Sequence, residues 1–179
     1  MEADRKPFAA MNADAEVMEF FPNPLTAEES FALLERLRKG IDERGWGLWA
    51  VEVEHELAGF TGLAEPSFHS HFTPCIEIAW RFQRTFWGRG YALEAAQIAL
   101  LFAFTSLHLR EIVSFTSRLN ERSERLMQRL GMTCSPPYDF EHPMLPLGHR
   151  LRRHVLYRIQ NTPALLDRLN QALPEQGAR

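Results

Sequence analysis

The stretch Trp87–Ala96, WGRGYALEAA, joins two glycines and an arginine to a helix-forming run. Gly88 and Gly90 let successive backbone N–H groups converge with no side chain in the way. A helix that starts directly behind them adds unpaired donors and the positive end of its dipole. Arg84 and Arg89 bring charge nearby. Two readings fit these residues: a cradle for an anionic group, or a tight turn that caps an ordinary helix. The spacing is neither G-x-G-x-x-G nor G-x-x-x-x-G-K-[ST]. The lysine and the magnesium-binding hydroxyl of a nucleotide-hydrolysing loop are both missing.

Other residues could carry proton chemistry. Glu77 lies just upstream in IEIAWRF, where a strand carboxylate either accepts a proton or bonds a neighbouring group. Ser123, in NERSERLMQRLGM, offers a hydroxyl three residues after Asn120, itself a good helix cap. His142, in DFEHPMLP, could orient or deprotonate an amine, or bond within its own proline-rich loop. His154 reads as a strand residue with a bonding partner. His69 and His71 have a spacing that can bind metal, but no third ligand stands at a suitable distance, so no metal site is expected. Cys75 and Cys134 form no C-x-x-C pair and suit a reducing compartment as plain core or surface residues. No Ser-His-Asp order is readable, so no covalent acyl-enzyme is expected.

The elements that must position these residues follow from the pattern. Residues 7–21 read as a short helical region, broken by the prolines of FPNPL. Thr26 and Glu29 form a capping box ahead of Phe31, Leu34, Leu37 and Ile41, and Gly45 ends that helix. WGLWAVEVEHELAGFTGLAE reads as a hairpin turning at EHEL. CIEIAWRFQ is a strand with Ile76, Ile78 and Trp80 on one face and Glu77, Ala79 and Arg81 on the other. A helix from about Tyr91 to Leu107, a strand in REIVSFTSR, a helix capped by Asn120 and closed by Gly131, and a strand in RRHVLYRIQ complete the domain. PALLDRLNQAL adds a short amphipathic helix before a frayed end. Antiparallel strands followed by a strand–loop–helix–strand series make a mixed α/β domain.

Composition limits the partners. The 179 residues suit one domain, and a net charge of −3 gives no bulk attraction for nucleic acid. The apolar run QIALLFAFTSL is too short to span a bilayer, so no membrane is expected, and the first residues are too polar for a signal peptide. A cytoplasmic location follows as the expectation.

In order and spacing, GWGLWAVE, IEIAWRF, WGRGYALEAA, NERSERLMQRLGM and HRLRRHVLYRI resemble the GNAT superfamily of acetyl-CoA-dependent acyltransferases, in particular its RimJ/RimL-like branch. The resemblance implies a mostly antiparallel central sheet with a splayed parallel pair and helices on both faces. It places a GNAT domain over residues 1–160 and a tail over 161–179. It implies that Trp87, Gly88, Arg89, Gly90, Tyr91 and Ala92 bind the pyrophosphate of coenzyme A. Trp87 departs from the glutamine or arginine usual at the first position. The strand end Trp80–Phe82, Arg81 included, would splay from its neighbour so that the pantetheine arm pairs with the free edge. Asn120 and Ser123 would contact the cofactor, acetyl-CoA.

Acetyl transfer to an amine needs a proton acceptor, for which Glu77 is the first candidate and His142 the second. The departing sulfur needs a proton source. Met127 stands where many members carry a tyrosine, and Ser123 matches the serine of the RimJ/RimL-like branch. The implied activity is direct attack on the thioester by a primary amine, from a protein N-terminus or a small molecule such as an amino sugar or polyamine. A non-catalytic acyl-CoA-binding domain and a nucleotide-binding protein are the competing readings. The strand that such chains carry before DRKPFAAMNADAE is missing or replaced here, and a homodimer or the tail would cover the resulting sheet edge.

Overall fold

The computed structural model describes residues 2–134 and 139–172. α1 spans Arg5–Ala13, shorter than its apolar pattern suggests. The side chain of Asp14 stops it: its Oδ1 accepts the N–H groups of Glu16 (2.9 Å) and Val17 (3.4 Å), offering the backbone an alternative to another helical turn. Residues 14–25 are consequently a strap of turns. α2 (Ala27–Arg44) begins on the expected capping box, with Glu29 N–H donating to Thr26 Oγ1 at 3.2 Å and Thr26 N–H to Glu29 Oε2 at 2.8 Å. Gly45 ends it at φ 76°, a left-handed backbone that glycine adopts without strain.

β1 (Leu48–Val53) and β2 (Glu56–Ala64) form the expected hairpin. Its two-residue turn holds Glu54 and His55 at φ 50° and 66°, the geometry whose twist matches the flanking strands. β3 (Glu77–Phe82) leads through a 3-10 turn at Arg84–Phe86 to α3 (Tyr91–Thr105). β4 (Glu111–Ser117), α4 (Glu121–Arg129), β5 (Thr133–Cys134), β6 (Phe140–Glu141), β7 (Arg153–Gln160) and α5 (Pro163–Ala172) follow. The two-residue strands β5 and β6 were not expected, being too short to show any alternation. The frayed end expected after α5, and part of PPYDF, lie outside the described residues.

The sheet runs β1-β2-β3-β4-β7-β5, with β6 also on β7. Every pairing is antiparallel except β3 with β4. That parallel contact amounts to one registered pair, Glu77 with Val113. Val113 N–H donates to Ile76 O at 3.0 Å, Ser114 Oγ donates to Ile78 O at 3.0 Å, and beyond that the strands part. β3 stays registered with β2 from Glu77 to Phe82, and β4 with β7 from Glu111 to Ser117. Each strand is thus committed to its outer neighbour, and a V-shaped gap opens between them.

Helices cover both faces. The main core packs Ile78, Leu100, Ile112, Met127 and Leu169 between the sheet and α3, α4 and α5. On the opposite face, Phe8, Met11 and Phe60 pack with Leu34 and Leu37 of α2. Met127 is fully buried in the main core. α5, in the expected tail, adds Leu165 and Leu169 to that same core.

One polar chain ties α1, α2 and β3 together. Asn12 is fully buried; its Oδ1 accepts from Arg81 Nη1 at 2.6 Å, and its Nδ2 donates to the buried Ser30 hydroxyl at 3.4 Å. Asn12→Ala leaves a buried guanidinium without that acceptor. The expected loss of unfolding free energy in urea denaturation is about 2–3 kcal/mol. An unchanged midpoint would show that this chain of bonds holds nothing.

Candidate active site

The V between β3 and β4 deepens into a cleft of about 670 Å³. The glycine loop, α4, the strap and the 142–145 loop surround it. Of the residues picked from the sequence, Glu77, Ser123 and His142 all line it. So do Trp80, Arg81 and Phe82 of β3, Trp87, Gly88, Gly90 and Ala92 of the loop, and Asn120. Arg89 and Tyr91 do not; the Tyr91 ring packs edge-on against Phe86, 6.1 Å between centroids.

The loop geometry favours an anion over a plain turn. Gly88 and Gly90 stand at φ 74° and 91°, and a Cβ on either would meet nothing within 4 Å. No protein acceptor among the described residues takes a bond from the N–H groups of residues 88 to 92, while Leu93 and Glu94 already donate to Gly90 O. These open donors at the start of α3 fit a pyrophosphate. Trp87 serves the frame: its ring N–H donates to Phe82 O at 2.8 Å, and the Arg122 guanidinium lies 4.1 Å from its ring centroid. Arg84, expected to add charge at the loop, instead pairs with Asp14 (3.0 Å) and Glu16 of the strap. The cations that do line the cleft are Arg81 of β3 and, spaced along one face of α4, Arg122, Arg125 and Arg129.

Beside the loop, Ser123 sits in a directed network. Its Oγ accepts from Trp80 Nε1 at 3.3 Å and from Asn120 Nδ2 at 3.1 Å. A hydroxyl has two lone pairs and one proton, so both accepting positions are engaged and the proton is left for another partner. Asn120 Oδ1 caps α4 by accepting Ser123 N–H at 3.2 Å, and its Nδ2 also reaches Thr116 Oγ1 at 3.0 Å. Its side chain therefore positions Ser123, with no amide proton to spare. By the alternation of ladder bonds along β3, the backbone groups of Trp80 face the gap and not β2.

Glu77 lies at the closed end of the V. The residue retains some exposure to the cleft, yet its carboxyl is packed round by protein. Burial, with no cation beside it, pushes its pKa up to about 8. No hydrogen bond or ion pair engages it among the described residues.

Residues 1–133 match the family model of the acetyltransferase (GNAT) domain. The chain belongs to the GNAT acetyltransferase family. FsC-acetyl coenzyme A-N(2)-transacetylase of Aspergillus fumigatus is 32% identical over 145 residues, 77% of this chain and 62% of that one. The uncharacterized protein YkkB of Bacillus subtilis is 30% identical over 98 residues, 52% of this chain and 56% of its own length. This chain thus spans about three-fifths of the length of these curated relatives. A GNAT-family acetyltransferase from Bacillus anthracis superposes with a TM-score of 0.69 at 25% identity, covering 89% of this chain and 90% of that one. The mixed sheet with one splayed parallel pair is the architecture expected of a GNAT fold.

Of the two histidines on the wall of this GNAT cleft, the sequence pointed to His142 as a site residue, whereas His154 read as a plain strand residue. His142 bonds within its loop, Nδ1 accepting Met144 N–H at 3.3 Å, yet its ring also lines the cleft. Burial and the nearby Arg152 hold its pKa below the usual histidine range. His154, also on the cleft wall, lies 4.8 Å from it between ring centroids; burial takes His154 down to about 4. Both rings are therefore neutral near pH 7. Cys75 is pushed up to about 11 by burial and the Glu77 charge, which leaves it unreactive. Among the described residues no group of three or more potential metal ligands occurs, and no helix is long and apolar enough to cross a membrane.

The Glu77 shift carries a stability signature. Its folded pKa of about 8 stands above the ordinary 4.5, so its contribution is fully present below 4.5 and lost as pH rises through 8. Glu77→Gln removes that loss. Urea denaturation should find the variant and the natural protein alike near pH 4, and the variant more stable by on the order of a few kcal/mol near pH 9. A gap of equal size at both pH values would contradict the buried, unpaired carboxyl.

Proposed function

We propose that the protein is an acetyl-CoA-dependent N-acetyltransferase that delivers the acetyl group directly to a primary amine. The observation that carries the reading is the pairing, across one cleft, of an unengaged Glu77 carboxyl with a Ser123 hydroxyl whose proton is free. Acetyl-CoA, when bound, supplies the thioester acetyl group. The N–H groups of residues 88–92 hold its pyrophosphate, with Arg122, Arg125 and Arg129 adding positive charge beside them. The unpaired edge of β3 at Trp80 offers a backbone donor and acceptor to the pantetheine arm.

An acceptor amine arrives protonated near pH 7. Glu77 takes that proton, directly or through a water, and the neutral nitrogen can then form its bond to the acetyl carbon as the carbon–sulfur bond breaks. An ammonium entering beside Glu77 also favours the ionised carboxylate, lowering the pKa that burial has raised. Ser123, held by Trp80 and Asn120, donates its hydroxyl proton to the departing sulfur and regains a proton from the newly acylated nitrogen, which leaves a neutral amide and free thiol. Met127, buried in the core, does not take this role. His142 walls the acceptor side and helps orient the amine.

The Aspergillus fumigatus relative, an FsC-acetyl coenzyme A-N(2)-transacetylase by name, supports this chemistry. The order of the WGRGYALEAA and NERSERLMQRLGM segments supports the RimJ/RimL-like branch.

Two results are expected from steady-state thiol release and a third from calorimetry. kcat/KM of the natural protein rises with pH and levels off above about 8, because the base works only when deprotonated. Glu77→Gln lowers kcat by roughly 10²–10⁴-fold and abolishes that rising limb. Gly90→Val weakens coenzyme A binding at least ~10-fold in calorimetry, because a side chain at φ 91° is strained and would stand over the cradle. Coenzyme A binding with no thiol release from any amine would leave a non-catalytic domain.

A further inference from the structure

On the acceptor side, the cleft is walled almost entirely by apolar and aromatic groups. The strap contributes Val17, Phe20 and Phe21, and the facing side contributes Phe115, Met144 and Leu145 with the two neutral histidine rings. Behind them lies a packed aromatic cluster. The Phe68 ring sits 4.6 Å from His142 and 5.6 Å from Phe115, and Phe140 sits 5.4 Å from His154, between centroids. Apolar groups continue onto the rim, where Phe21 is 37% and Met144 72% exposed.

The charges on this side are spoken for. Glu16 pairs with Arg84, and Glu19 pairs with Arg122 at 3.2 Å. The remaining fixed charge is the Arg81 cation, held by Asn12 and lying 4.1 Å from the Phe21 ring centroid. Of the carboxyls that line the cleft among the described residues, Glu16 is paired and Glu77, at the foot of the wall, has no partner.

Resting on the transferase reading above, we infer that the acceptor is a monoamine carried on an uncharged aromatic body: its one ammonium reaches Glu77, and its ring packs between the strap and the Phe115 wall. A flat ring fits a wall of rings, which adds stacking to the burial of apolar area. A polyamine or an amino sugar with several ammonium groups does not fit. Its second charge would enter an apolar site with no carboxylate to meet it, near the fixed cation of Arg81.

Phenethylamine and spermidine, each with acetyl-CoA and the purified chain, test this by thiol release. Phenethylamine should exceed spermidine in kcat/KM by at least ~10-fold, the worth of burying a phenyl group. Met144→Glu places a carboxylate on the exposed rim and should shift that ratio towards spermidine by several-fold, with an unchanged thermal melt confirming the fold. Spermidine equal to or better than phenethylamine, or a ratio that Met144→Glu does not move, overturns the inference while the transferase reading stands. Absence of thiol release with every amine overturns the transferase reading, and this inference with it.

Discussion

β3 and β4 share one registered pair and then part, β3 running on along β2 and β4 along β7. β2 holds β3 through Phe82, and β7 holds β4 through Ser117. The Ser114 hydroxyl takes Ile78 O, the acceptor that a next rung of the parallel ladder would have used. A parallel pair that parts after one rung leaves backbone groups at the centre of a sheet without partners. Buried backbone donors and acceptors are otherwise almost always satisfied. The cleft, the exposed edge at Trp80 and the access to Glu77 all follow from that separation.

The polar groups around the cleft fall into two sets. One set is fully used within the protein and fixes the walls. Arg84 with Asp14 and Glu16, Arg122 with Glu19, and Arg150 donating to Glu19 O at 2.6 Å pin the strap on the sheet and α4. These pairs are partly exposed, so each contributes little stability; together they set the position of the strap. The other set is left open towards the cleft: the loop N–H groups, the Ser123 proton and the Glu77 carboxyl. Leaving groups of this kind unsatisfied costs stability, and a bound molecule that completes them recovers that cost.

Local signals were legible in the chain, and long-range ones were not. The capping box at Thr26, the stop at Gly45 and the Asn120 cap each depend on residues within a few positions, and each stands in the fold as expected. The glycine loop could be placed before a helix, but its open donors could not be seen until its surroundings were known. The Asp14 turn that cuts α1 short competes with a helix-compatible apolar pattern, which hid it. Arg84 stood close to the loop in sequence, yet partners some seventy positions away hold it. The aromatic wall draws Phe68, Phe115, Phe140 and His154 from separate segments, so no window of sequence contains it. The α4 stripe of Arg122, Arg125 and Arg129 went unread, although its helical spacing was the signal that could have found it.

The central claim is that the opening between β3 and β4 receives the acyl carrier with its phosphates at the glycine loop and its sulfur beside Ser123. A crystal structure with coenzyme A bound tests it most directly. The account predicts pyrophosphate oxygens within about 3 Å of N–H groups in residues 88–92, and the sulfur within hydrogen-bond reach of Ser123 Oγ on the Glu77 side of the cleft. Coenzyme A seated elsewhere, or phosphates held away from the loop with the sulfur remote from Ser123 and Glu77, would contradict it.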